Sequence, residues 1–100
     1  MLEVGQFVTV KSSRYLDYGV KKGDLMYLAG DTVVHVGDDD PYAMRKLFIA
    51  AFVKDGHVDA VSKPLTMDGI NLRAVSKTKQ EKLYAQLEAD FAEEGDSSSA

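Results

Sequence analysis

The chain of 100 residues has no cysteine and no tryptophan, only two prolines and only two histidines. Without cysteine there is no disulfide framework, no thiolate metal site and no thiol nucleophile. The absence of disulfides fits a reducing compartment. No run approaches the roughly 18 apolar residues of a membrane span, and Met1-Leu2-Glu3 does not open like a signal peptide. The expectation is a cytoplasmic, non-membrane chain. A basic surplus is also missing. All twelve Lys and Arg lie at or before Lys82, against eleven acids up to residue 87, so that part is near +1. The acidity sits in Glu88, Asp90, Glu93, Glu94 and Asp96. Neither part carries the strong positive bias of a nucleic-acid binder.

What is present is β-patterned. Leu47–Val53 is the longest apolar run, followed by Asp55-Gly56 and the segment Val58, Asp59, Ala60, Val61. An Asp-Gly pair suits a type I′ hairpin turn, so Leu47–Val53 and His57–Lys63 are expected as paired arms. Asp40-Pro41, an N-cap pattern, and the helical spacing of Met44, Leu47, Phe48, Ala51 and Phe52 give a rival helix over 41–53. The β-branched and aromatic content favours a strand from about Lys46. Gln6–Lys11 reads as a strand. Leu25–Ala29 and Thr32–Val36 flank Gly30-Asp31 and read as a second hairpin. Pro64 ends the His57–Lys63 arm. Ile70, Leu72, Ala74 and Val75 give a short closing segment after the turn Met67–Ile70.

Thr78 and Glu81 match a capping box, and Leu83, Tyr84, Leu87 and Phe91 form one narrow apolar face. A helix is expected over about 78–94, with Gly95 as its stop and 96–100 as a disordered tail. That leaves one domain over 1–95, since a chain this short holds one modest core.

The long loop after the first strand, the hairpins at Gly30-Asp31 and Asp55-Gly56, and the turn Asp68-Gly69-Ile70-Asn71-Leu72-Arg73 together resemble an SH3-like barrel over residues 4–76. The resemblance implies a mainly β fold, a small barrel of five to six short strands with a C-terminal α-helix. Asp40-Pro41-Tyr42, the Asp-Gly-His hairpin, Asn71-Leu72-Arg73 and Lys79-Gln80 also resemble small proteins of marine phage and environmental origin, a likeness that implies no particular activity.

Chemistry is sparse. His57 and Asp59 share a strand face, the spacing of two ligands or of a base and its orienting carboxylate. Yet His35 lies on another segment, and a His beside a turn is ordinarily surface. Adjacent Asp38, Asp39 and Asp40 followed by proline lack the alternating ligands of a calcium loop and read as solvated acids. Ser12, Ser13, Ser62 and Ser76 lack a nucleophile-elbow context, and Gly19, Gly23 and Gly30 lack phosphate-loop spacing. No catalytic residue, metal site or cofactor is therefore expected. The best partner-binding set is the loop 12–22 with its flanks: Lys11, Arg14, Tyr15, Tyr18, Lys21 and Lys22. Exposed aromatics there would accept a proline-rich peptide or stack bases, while the cations pair carboxylates or phosphates. A protein-interaction or structural module, with self-association through the helix face as one form, is the leading expectation. Weak nucleic-acid binding through the same loop is the alternative.

Overall fold

The computed structural model describes residues 2–37 and 39–99, with no side-chain description for 93–99. Six strands run antiparallel: β1 (Phe7–Val10), β2 (Leu25–His35), β3 (Met44–Lys54), β4 (His57–Val58), β5 (Leu65–Met67) and β6 (Leu72–Ala74). A helix, α1 (Lys77–Ser99), follows. The sheet order is β4-β3-β2-β1-β6, with β5 pairing the same β3. The protein is thus mainly β, a six-stranded antiparallel sheet plus one C-terminal helix. The sheet path does not close on itself among the described residues, so the closed barrel is not observed.

β3 is a strand throughout, which decides against a helix over 41–53. Its turn into β4 has Asp55 at φ 54° and Gly56 at φ 81°, the two positive values a type I′ turn requires. The return arm is shorter than His57–Lys63. Asp59 Oδ1 accepts the N–H groups of Val61 and Ser62, which bends the chain locally, and Pro64 has no N–H to give. Pairing with β3 resumes only at Leu65–Met67.

The hairpin expected at Gly30-Asp31 does not form. β2 continues through it, pairing with β3 from Met26↔Phe52 to His35↔Met44, with an irregularity between Leu28 and Gly30. One extra residue is absorbed as a bulge, which lets a single strand bend from the packed sheet into a projecting two-stranded arm. Eleven residues of β3 offer a longer ladder than two short arms would, and the ladder outweighs the local turn signal.

One core joins Val8, Val10, Val20, Met26, Leu28, Ala50, Met67 and Leu72 with Tyr15 and Phe48. Each fully buried large side chain contributes about 1.5–3 kcal/mol. Phe7 also has no exposure and packs on α1: its ring lies 4.9 Å from Tyr27 and 5.6 Å from Tyr84. The helix starts at Lys77, with Ser76 Oγ accepting the Lys79 N–H, so Ser76 is the cap where Thr78 was expected. Its backbone runs on past Gly95 to Ser99, and the expected tail ends at Ala100, outside the described residues. Of the expected apolar face, Tyr84 reaches the sheet and its hydroxyl donates to the Gly5 carbonyl, whereas Phe91 is 64% exposed. Burial holds the Tyr84 hydroxyl above its ordinary pKa.

Gln80 extends the sheet by a side chain. β6 ends at Ala74, opposite Val8; beyond it the Val75 N–H still reaches the Phe7 carbonyl, at 3.4 Å, and the Phe7 N–H is left for another acceptor. The Phe7 N–H donates to Gln80 Oε1 (2.8 Å) and Gln80 Nε2 donates to the Phe7 carbonyl (2.6 Å). An amide side chain has the donor and acceptor of a peptide unit, so it continues the ladder and pins the helix to β1.

Candidate functional site

A surface groove of about 520 Å³ lies between the loop 12–22 and the β2–β3 arm. Arg14, Tyr15, Asp17 and Tyr18 form one wall; Val34, Val36, Arg45 and Leu47 form the other; Thr66 and Asp68 close one end. The loop wall is held by a 3₁₀ turn at Leu16–Tyr18, ended by Gly19 in the left-handed region at φ 82°.

The six residues expected to bind a partner do not act as one patch. Arg14, Tyr15 and Tyr18 come together on the groove; Lys11, Lys21 and Lys22 are exposed but line none of it. Tyr15 is no exposed stacking platform. It is 9% exposed and belongs to the core. Its hydroxyl accepts from the Asp68 N–H (3.0 Å) and from Asn71 Nδ2 (3.2 Å). Ser12 Oγ in turn donates to Asn71 Oδ1, and the Lys11 N–H donates to the Asn71 carbonyl. Asn71 therefore fastens the loop to the 3₁₀ turn Gly69–Asn71, and Tyr15 lines the groove wall only with the small part of it that stays exposed. Tyr18, 64% exposed with its ring 6.5 Å from Tyr15, is the aromatic offered to a partner.

Charge in the groove is balanced. Arg45 pairs with Asp68, whose carboxylate also accepts the Ile70 N–H. Arg14 makes no ion pair among the described residues. Arg45, Val36, Leu47 and Asn71 escaped the sequence reading. Nothing in local spacing shows that the arm folds beside a loop some twenty residues earlier.

His57 and Asp59 have separate structural duties. His57 Nδ1 meets Asp90 of α1 at 2.9 Å, clasping the helix to β4. That hydrogen bond, more than the one from Gln86, holds the Asp90 carboxyl below its ordinary value. Asp59 is also held low, first by the Ser62 N–H and hydroxyl and then by the Val61 N–H, with Lys54 adding to it. His35 Nε2 lies 2.9 Å from the Asp40 carbonyl within the β2–β3 loop, and Asp40 Oδ1 accepts the Tyr42 N–H. Asp38 lies outside the described residues. Among those described, no three His, Asp or Glu side chains converge as a metal-ligand set, and no helix is long and apolar enough to cross a membrane.

No protein-family model, curated protein or solved structure matches this chain.

Proposed function

We propose that the chain is a non-enzymatic, cytoplasmic protein-interaction module with an SH3-like barrel plan, of the accessory kind its phage-like sequence resembles, and that the groove between Tyr18 and the β2–β3 arm receives a peptide segment of its partner. The observation that carries this is the groove itself. Arg14, Tyr15 and Tyr18, picked out as recognition residues, share it with the apolar side chains of Val34, Val36 and Leu47. A concave strip with aromatic residues in one wall and a few polar groups suits peptide recognition. The strand order β6-β1-β2-β3-β4, the long loop after β1 and the 3₁₀ turn before β6 support the barrel plan.

Selection from a random-peptide display library tests the reading. Peptides captured by the native protein and lost with Tyr18→Ala support it; equal capture by both proteins refutes it. Nucleic-acid binding has less behind it, because Tyr15 is occupied in the core and three of the four loop cations lie off the groove. Binding to oligothymidylate that weakens steeply with salt would favour that alternative.

A further inference from the structure

The outer edge of β3 is covered unevenly. β4 pairs with Val53 and Lys54, and β5 pairs with Phe48–Ala50. β5 then leaves at Asp68, and the next residues enter the 3₁₀ turn. From Met44 to Leu47 no strand lies along that edge among the described residues.

The hydrogen-bond phase there is known. The Val36 N–H donates to the Ala43 carbonyl at 2.8 Å, so Ala43, Arg45 and Leu47 direct their backbone groups toward β2. Alternate residues point the other way. Met44 and Lys46 therefore present their N–H and C=O groups outward, as Phe48 does where Met67 pairs with it.

Two cavities flank this same edge, one on each face. Arg45 and Leu47 line the groove already described. Lys46 and Phe48, one residue out of step and so on the opposite face, line a second cavity of about 340 Å³ with Leu2 and Gly69. An added strand projects its side chains alternately to the two faces, which is the arrangement these cavities fit.

We propose that the Met44–Lys46 edge of β3 accepts an extended segment of another protein by strand addition, with acidic residues opposite Arg45 and Lys46 and an apolar residue opposite Met44. This deepens the peptide-binding reading above and rests on it for the groove face. Charge selects the occupant. Arg45 and Lys46 both have half-exposed side chains, so the edge carries a cation on each face. Opposite charges directly across a pair of strands stabilise it, and like charges destabilise it. A second copy pairing antiparallel about a two-fold at Arg45 or at Lys46 would set that cation against its own equivalent, so the occupant we infer is a different, acidic chain. Both cations are paired within the chain, Arg45 with Asp68 and Lys46 with Asp31 of the neighbouring β2, but such solvent-exposed pairs are worth little, so an incoming carboxylate can take either cation over.

The test uses a synthetic peptide with the core leucine–glutamate–glutamate–leucine, followed by fluorescence anisotropy on the full chain. Only one of two adjacent strand residues turns its N–H to the edge. N-methylation of one glutamate is expected to weaken binding on the order of tenfold, the equivalent of one hydrogen bond, and methylation of the other to leave it unchanged. Replacing both glutamates by lysine abolishes binding. Lys46→Pro removes the protein's own outward N–H at an edge position that tolerates proline, and gives a similar loss. Amide exchange at Met44 and Lys46 slows when the peptide is bound. Binding indifferent to both methylations, or no binding of this peptide while library peptides are still captured through Tyr18, overturns strand addition and leaves the groove reading standing. No capture of either kind overturns both.

Discussion

β1 and the β2–β3 arm are built from similar residues and end in opposite conditions. Phe7, Val8 and Val10 of β1 are fully or almost fully buried, on both faces of the strand. Both edges are also satisfied, by β2 on one side and by β6 and then Gln80 on the other. In the arm, Val33 is 57% exposed, Met44 54% and Tyr42 at its tip 87%. Apolar surface is left in water there beside a backbone edge with no partner strand among the described residues. A strand fixed on four sides contributes stability; one fixed on a single edge is free to bind.

Substitutions that sharpen this contrast differ widely in effect. Phe7→Ala removes the ring that joins the sheet to α1 and is expected to cost about 3–5 kcal/mol, enough to leave a domain of this size marginal or unfolded in a urea titration. Gln80→Ala leaves the buried Phe7 N–H without its acceptor, for about 1–3 kcal/mol. A loss near zero would mean that α1 is not anchored through this amide. Gly56→Ala forces a side chain into the left-handed region and costs about 1 kcal/mol, read as a lower thermal midpoint.

Asp90→Asn tests the clasp by pH. The folded carboxyl is held below its ordinary value, so its contribution is fully present above about pH 4 and is lost as the pH falls through the lowered folded value. Native protein is expected to exceed the variant in urea midpoint near pH 5–6, and the two should converge in stronger acid, where the Asp90 carboxyl is protonated in both folded and unfolded chain. Equal midpoints at both pH values would show that His57 and Asp90 do not couple the helix to β4. The smallest effect belongs to the arm. Val33→Thr and Met44→Thr are expected to change stability by no more than about 0.5 kcal/mol, because both residues are more than half exposed. A larger loss would show that the arm supports the fold.

Much of the element content was legible because it follows from local chemistry. The β character of Phe48, Ile49, Phe52 and Val53 outweighed the helical spacing, and Asp55-Gly56 closed the turn it announces. Lys77–Ser99 covers the whole of the expected helix. Gly30-Asp31 misled because the same pair serves a turn or a bulge, and the choice depends on how far β3 extends alongside. Tyr15 misled for a related reason. In sequence it stands among polar residues, and its burial depends on Asp68 and Asn71, more than fifty positions away.

Composition and spacing alone therefore determined the alternation that makes strands, the turn at Gly56, the C-terminal helix and the lack of thiol chemistry, since each depends on neighbours a few residues apart. Tertiary structure alone decided that β2 is one bent strand, that Gln80 completes the ladder of β1, that His57 holds Asp90, and that Tyr18 faces Arg45 across a groove beside an open edge. These are contacts between distant segments, and the energy that selects them comes from burial and pairing that exist only once the sheet has formed.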